Sequence, residues 1–110
     1  MSRNIPVQPS WAHEGRRADR IDVCVQATIR EHGSTKFDVV VSDISVTGFR
    51  FETIFSLREG SRIWISLPHL APLESVIQWR REPLYGASFA HPLHPAVRDH
   101  VVHHYGGKQV

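Results

Sequence analysis

The chain has 110 residues, enough for one hydrophobic core and too few for two domains. Its 41% apolar and 22% charged residues are ordinary for a soluble globular protein, and no apolar run nears the ~18–20 residues of a membrane span, so membrane insertion is not expected. The net charge of +2 resides in residues 1–20, where Arg3, Arg16, Arg17 and Arg20 outnumber Glu14 and Asp19; the balanced remainder argues against a nucleic-acid polymer as partner and for a small anionic ligand.

Residues 1–13, with Pro6, Pro9 and little periodicity, read as a flexible arm ahead of a domain over residues 14–110. They lack the continuous apolar core of a signal peptide, and a lone Cys24 makes no internal disulfide, so a cytoplasmic location is expected. From Ile21, Val23, Val25, Ala27 and Ile29 alternate with Asp22, Cys24, Gln26, Thr28 and Arg30, the period of a strand with one buried face. Cys24 falls on the outward set, where a surface thiol is the expected state. A hairpin loop at residues 31–35 leads to a second strand over 37–44, and a third alternates over 48–52. A turn at 57–61 precedes a fourth strand over 62–67, whose Ile63, Ile65 and Leu67 supply the core face. Residues 68–72 break the sheet, and strands over 73–81 and 84–89 form a last hairpin around Glu82-Pro83. His94-Pro95 then opens a short helix carrying Val97, Val101 and Tyr105 at helical spacing, ended by Gly106-Gly107. Six short strands and one terminal helix predict an all-β fold, a small antiparallel barrel with the helix across one end.

Two groups of polar residues are placed for recognition. Arg16, Arg17 and Arg20 lie just before the first strand. A guanidinium is a rigid fork that pairs with phosphate oxygens or with guanine O6 and N7, and it stacks flat on a base. The competing reading is a solvated basic arm. Asp43 and Ser45 close the second strand and share a side of it, beside Gly48, whose freedom suits a tight turn. A carboxylate accepts two parallel hydrogen bonds from guanine N1–H and the exocyclic amine. Here the competing reading is that Asp43 and Ser45 cap their own turn through local bonds to the backbone.

Together, Arg16-Arg17-Ala18-Asp19-Arg20 and Asp43-Ile44-Ser45-Val46-Thr47-Gly48 resemble the paired signature of PilZ domains, bacterial receptors for cyclic di-GMP. Residues 76–81 and 84–89 resemble that family's late hairpin, so the likeness covers about residues 14–105. It implies a six-stranded antiparallel PilZ-like barrel with a C-terminal helix. It assigns Arg16 and Arg20 to the ligand's phosphates and guanine faces, Arg17 to a supporting contact, Asp43 and Ser45 to a guanine edge, and Gly48 to the turn. Trp79 occupies the place of a tryptophan that lies near a guanine in some members; its competing reading is a core or rim aromatic. Gly15 precedes the arginine pair, at a position that in the PilZ family influences whether one ligand or an intercalated pair binds, so the resemblance leaves stoichiometry open.

No nucleophile and base are brought together by the sequence, so catalysis is not expected. His100, His103 and His104 have zinc-like spacing but no Cys or Glu to complete a set, and neither a metal nor a cofactor is expected. The leading expectation is a stand-alone cyclic di-GMP receptor acting as a ligand-controlled adaptor for a protein effector. The alternative is a ligand-independent PilZ-like protein-interaction module. A barrel binding single-stranded nucleic acid is a third reading, which the charge balance beyond residue 20 disfavours. Trp64 is a candidate apolar surface residue for a partner.

Overall fold

The computed structural model describes residues 20–106. Among these described residues six strands, β1 (Ile21–Glu31), β2 (Phe37–Ile44), β3 (Gly48–Glu52), β4 (Arg62–Ser66), β5 (Leu73–Arg81) and β6 (Leu84–Phe89), precede one helix, α1 (Pro95–Tyr105). All neighbours are antiparallel, and the order β1-β2-β3-β6-β5-β4 closes on itself through the β1–β4 pairing. This is the six-stranded antiparallel barrel with a C-terminal helix that the alternating strands predict. Closure leaves no unpaired sheet edge, so every strand presents side chains only inward or outward.

The inward set is the core. Val23, Val25, Ala27 and Ile29 of β1 meet Val39, Val41 and Ile44 of β2, with Phe49, Phe51, Ile63, Ile65, Ile77, Tyr85 and Phe89 from the other strands. Phe49 stacks between Phe51 and Phe89, at ring separations of 5.6 and 5.2 Å. Helix α1 covers one end: Val101 is buried, while Val97, Val102 and Tyr105 pack against the core from its edge. Its first turn is capped by His94, whose Nδ1 accepts the Ala96 N–H at 3.0 Å. At the far end Gly106 makes a bridge to Val23 of β1, tying the helix to the barrel wall.

Two irregularities place the surface residues that matter below. Val41 and Ile44 both point into the core although three residues apart, so the alternation slips between them. Ser42 and Asp43 therefore both face Arg50 of β3, a β-bulge in β2. A second bulge in β5 sets Gln78 and Trp79 together opposite Gly86 of β6. Trp64, the candidate surface residue, lies on the outward set of β4 between buried Ile63 and Ile65. It is half-buried, with the Arg30 guanidinium 5.8 Å from its ring centroid and the His32 ring 6.2 Å away.

Candidate functional site

The bulges align one row of residues across the outer face: Asp22 of β1, Asp43 of β2, Arg50 of β3, Gly86 of β6 and Trp79 of β5. Without the slip at Ser42, strict alternation would carry Asp43 into the apolar interior, where an unpaired carboxylate is not tolerated. With it, Asp43 lies on the outer face but beneath two arginines, and is only 2% exposed. Arg50 Nη2 donates to Asp43 Oδ2, and Arg20 Nε stands 3.6 Å from Oδ1. Oδ1 is buried and accepts no hydrogen bond among the described residues. The two guanidinium-bearing side chains keep about a third of their own surface in water.

Ser45 does something different from Asp43. Its Oγ accepts the backbone N–H groups of Thr47 and Gly48, both at 3.1 Å, and its own N–H donates to Gly48 C=O at 2.8 Å. The local capping alternative thus describes Ser45, whereas Asp43 turns outward to the arginines. The loop is then fastened from outside, with Phe89 N–H donating to Thr47 C=O and Leu93 N–H to Val46 C=O. Gly48 is needed for a reason other than turn freedom, because its φ is not positive. A Cβ at Gly48 would run into the carbonyl oxygen of Ala87 on β6, so the residue permits close strand approach.

Across the row, Gly86 has the same use. A Cβ there would strike the Trp79 indole, which lies over the bare backbone of Gly86 and is overlain by the Arg81 guanidinium at 5.6 Å from its centroid. The indole therefore reaches back toward β3, on the row that holds Arg50 and Asp43. From β2 to β5 the row crosses three strand spacings, ~14 Å. Arg20, Asp43 and Trp79 are thus gathered along one strip, with Gly48 and Ser45 shaping the loop at its end. Arg16 and Arg17 lie outside the described residues. Arg50 was not singled out from the sequence, although its place two residues after Gly48 on an alternating strand marks it as outward-facing beside Asp43. A groove of about 1070 Å³ lies elsewhere, against the start of β2 and the loop after β3.

The PilZ domain family profile matches residues 14–107. The chain belongs to the PilZ domain family. Among curated proteins no match is found. Of solved structures, the Bacillus subtilis inhibitor of motility MotI/DgrA resembles this PilZ chain with a TM-score of 0.56 and 15% identity, over 81% of the present chain. The PilZ chain spans about half, 48%, of that protein's length. At that identity the likeness is one of fold. Among the described residues no helix is long and apolar enough to cross a membrane, and no group of three or more His, Cys, Asp or Glu side chains is placed to hold a metal ion.

Proposed function

We propose that this PilZ domain binds cyclic di-GMP along the Asp43–Trp79 row and passes ligand occupancy to a protein effector, as a ligand-controlled adaptor. The observation carrying this reading is the Asp43 carboxylate, buried yet with one oxygen that accepts no hydrogen bond among the described residues. A buried acceptor without a donor is costly to maintain. A guanine edge supplies the missing donors as a matched pair, N1–H and the exocyclic amine. Arg20 lies on that oxygen at 3.6 Å, too far for a good hydrogen bond, so it is held loosely and is free to exchange partners.

The exchange gives a mechanism. A guanine taking Oδ1 displaces Arg20, whose guanidinium then serves a phosphate of the same ligand together with Arg16 and Arg17. Arg50 stays on Oδ2 and fixes the carboxylate plane. Ser45 and Gly48 hold the loop that sets the height of Asp43, and the Trp79 ring, overlain by Arg81, is offered to a base further along the row once that guanidinium moves aside. The segment ahead of β1 would then sit differently in the empty and occupied protein, and an effector able to tell the two apart is switched by population. Inhibition of motility, the role in the name of the Bacillus subtilis structural neighbour, is the kind of output such an adaptor would have.

A second reading has an observation of its own. Ser45 is wholly used by its turn and Asp43 already holds Arg50, so the signature also serves the fold. On that reading the domain is a ligand-independent interaction module. Calorimetric titration with cyclic di-GMP, with cyclic di-AMP as control, separates the two. The receptor reading expects saturable binding of the guanine dinucleotide alone, weakened at least ~30-fold by Asp43→Ala and by Arg20→Ala. Absence of binding at tens of micromolar ligand, or binding indifferent to both substitutions, would refute it.

A further inference from the structure

Ile54 is 94% exposed, Phe55 47% and Val40 37%, and all three line the groove remote from Asp43. Their exposure is not fraying. Thr53 N–H donates to Pro83 C=O at 3.1 Å, and Thr53 Oγ1 donates to Asp38 C=O while accepting Phe55 N–H. Tyr85 Oη lies 3.0 Å from Phe55 C=O and accepts Leu57 N–H, and Ser56 Oγ donates to Glu82 at 2.6 Å. The Phe55 ring rests on Phe37 at 4.8 Å. A loop tied down this thoroughly presents Ile54 in a fixed place, so covering it would cost little ordering entropy. Folding gains nothing from holding an isoleucine rigidly in water.

The charges around this step are one-sided. Asp38 and Val40 alternate on the outer face of β2, and Val40 pairs directly with Glu52 of β3. Both carboxylates are exposed, and neither has an ion-pair partner among the described residues. Among the described residues, only Lys36 opposes them along the groove. We propose that the Ile54–Phe55–Val40 step is a docking surface for a partner protein's segment that carries an apolar side chain between basic ones. The apolar residue covers Ile54 and Phe55, and its Lys or Arg neighbours reach Asp38 and Glu52. An anionic membrane would meet the same carboxylates as repulsion, and a second copy packed two-fold would set them against themselves. The surface does not depend on cyclic di-GMP, although it shares the β2–β3 hairpin with Asp43 and Arg50.

The test is selection of a random displayed peptide library on the full chain, followed by fluorescence polarisation with the enriched peptides. Enriched sequences are expected to place an apolar residue between Lys or Arg. Ile54→Asp should weaken them at least ~10-fold, the loss typical of a central apolar anchor. Asp38→Asn with Glu52→Gln should weaken them about 3- to 10-fold at low salt and much less at high salt. Because Ile54 is almost fully exposed, its replacement should leave the far-UV dichroism unchanged. Enrichment of acidic or uncharged peptides, indifference to Ile54→Asp, or no enrichment at all overturns the proposal. So does a dimer in sedimentation, or binding to phosphatidylglycerol vesicles, that Ile54→Asp abolishes.

Discussion

Removing Arg50 should damage the fold more than neutralising the carboxylate it holds. Asp43 is 2% exposed, while the Arg50 and Arg20 side chains keep 38% and 33% of their surface in water. In Arg50→Met the buried carboxylate loses its charged hydrogen bond and keeps only the looser Arg20 contact. A lost charge-assisted bond costs ~1.5–3 kcal/mol, and water entering where Arg50 stood relieves part of the remaining desolvation. A loss of ~2–3 kcal/mol is expected. In Asp43→Asn the orphaned groups are two guanidiniums that water already reaches, so ~0.5–1.5 kcal/mol is expected. Urea unfolding reads both: with a slope of ~1–2 kcal/mol/M, the midpoint falls by roughly 1–3 M for Arg50→Met and by half that or less for Asp43→Asn. The double variant Arg50→Met/Asp43→Leu, with no buried carboxylate left and only the water-exposed Arg20 guanidinium beside it, should recover to within ~1 kcal/mol of the parent. Equal losses in the two single variants, or a larger one in Asp43→Asn, would show that Arg50 is not what keeps this carboxylate buried.

Four further outcomes follow from the packing and the local hydrogen bonds. Gly48→Ala drives a Cβ into the Ala87 backbone carbonyl, so β3 must part from β6, costing ~2–3 kcal/mol in thermal or urea unfolding. In Gly86→Ala the nearest obstruction is the Trp79 indole, which can swing away; it should cost ~1 kcal/mol less and shift the tryptophan emission of the native state to the red. At α1, His94→Asp places a stronger acceptor and a negative charge at the helix N-terminus and should stabilise by ~0.5–1 kcal/mol, whereas His94→Ala should destabilise by a similar amount. The Glu82 carboxyl is held below its ordinary value of 4.5, chiefly by the Ser56 hydroxyl, then by Tyr85 and the Arg80 charge. A depressed folded-state pKa contributes stability above pH 4.5 that is lost as pH falls further. Glu82→Gln should therefore show a shallower decline of stability on the acid side than the parent does.

The barrel was readable because its signal is redundant. Each strand alternates, each turn carries its own Gly, Pro or polar cluster, and the core residues of β1, β3 and β4 are the apolar positions of those alternations. The bulges at Ser42 and Gln78 were not readable, since a one-residue slip depends on which strand is the neighbour, and antiparallel order is not written locally. That slip decides the site. It puts Asp43 against Arg50 rather than simply beside Ser45, and it gives Trp79 a seat on Gly86. The need for Gly48 was visible while its cause was not, because the obstructing Ala87 carbonyl belongs to a strand some forty residues later in the chain. Trp64, the aromatic singled out for the surface, is sheltered by Arg30, whereas Ile54, which the sequence did not single out, stands in water on a pinned loop.

The most direct test of cyclic di-GMP recognition is an amide and indole NMR titration of the intact chain. Resonances of Arg20, Asp43 to Gly48, Arg50, Gly86 and the Trp79 indole should shift together to one saturation point, with Ile54 and Phe55 moving little. Spectra unchanged at excess ligand, or shifts gathered at Ile54 and Phe55 with the Asp43 row silent, would contradict recognition at that row.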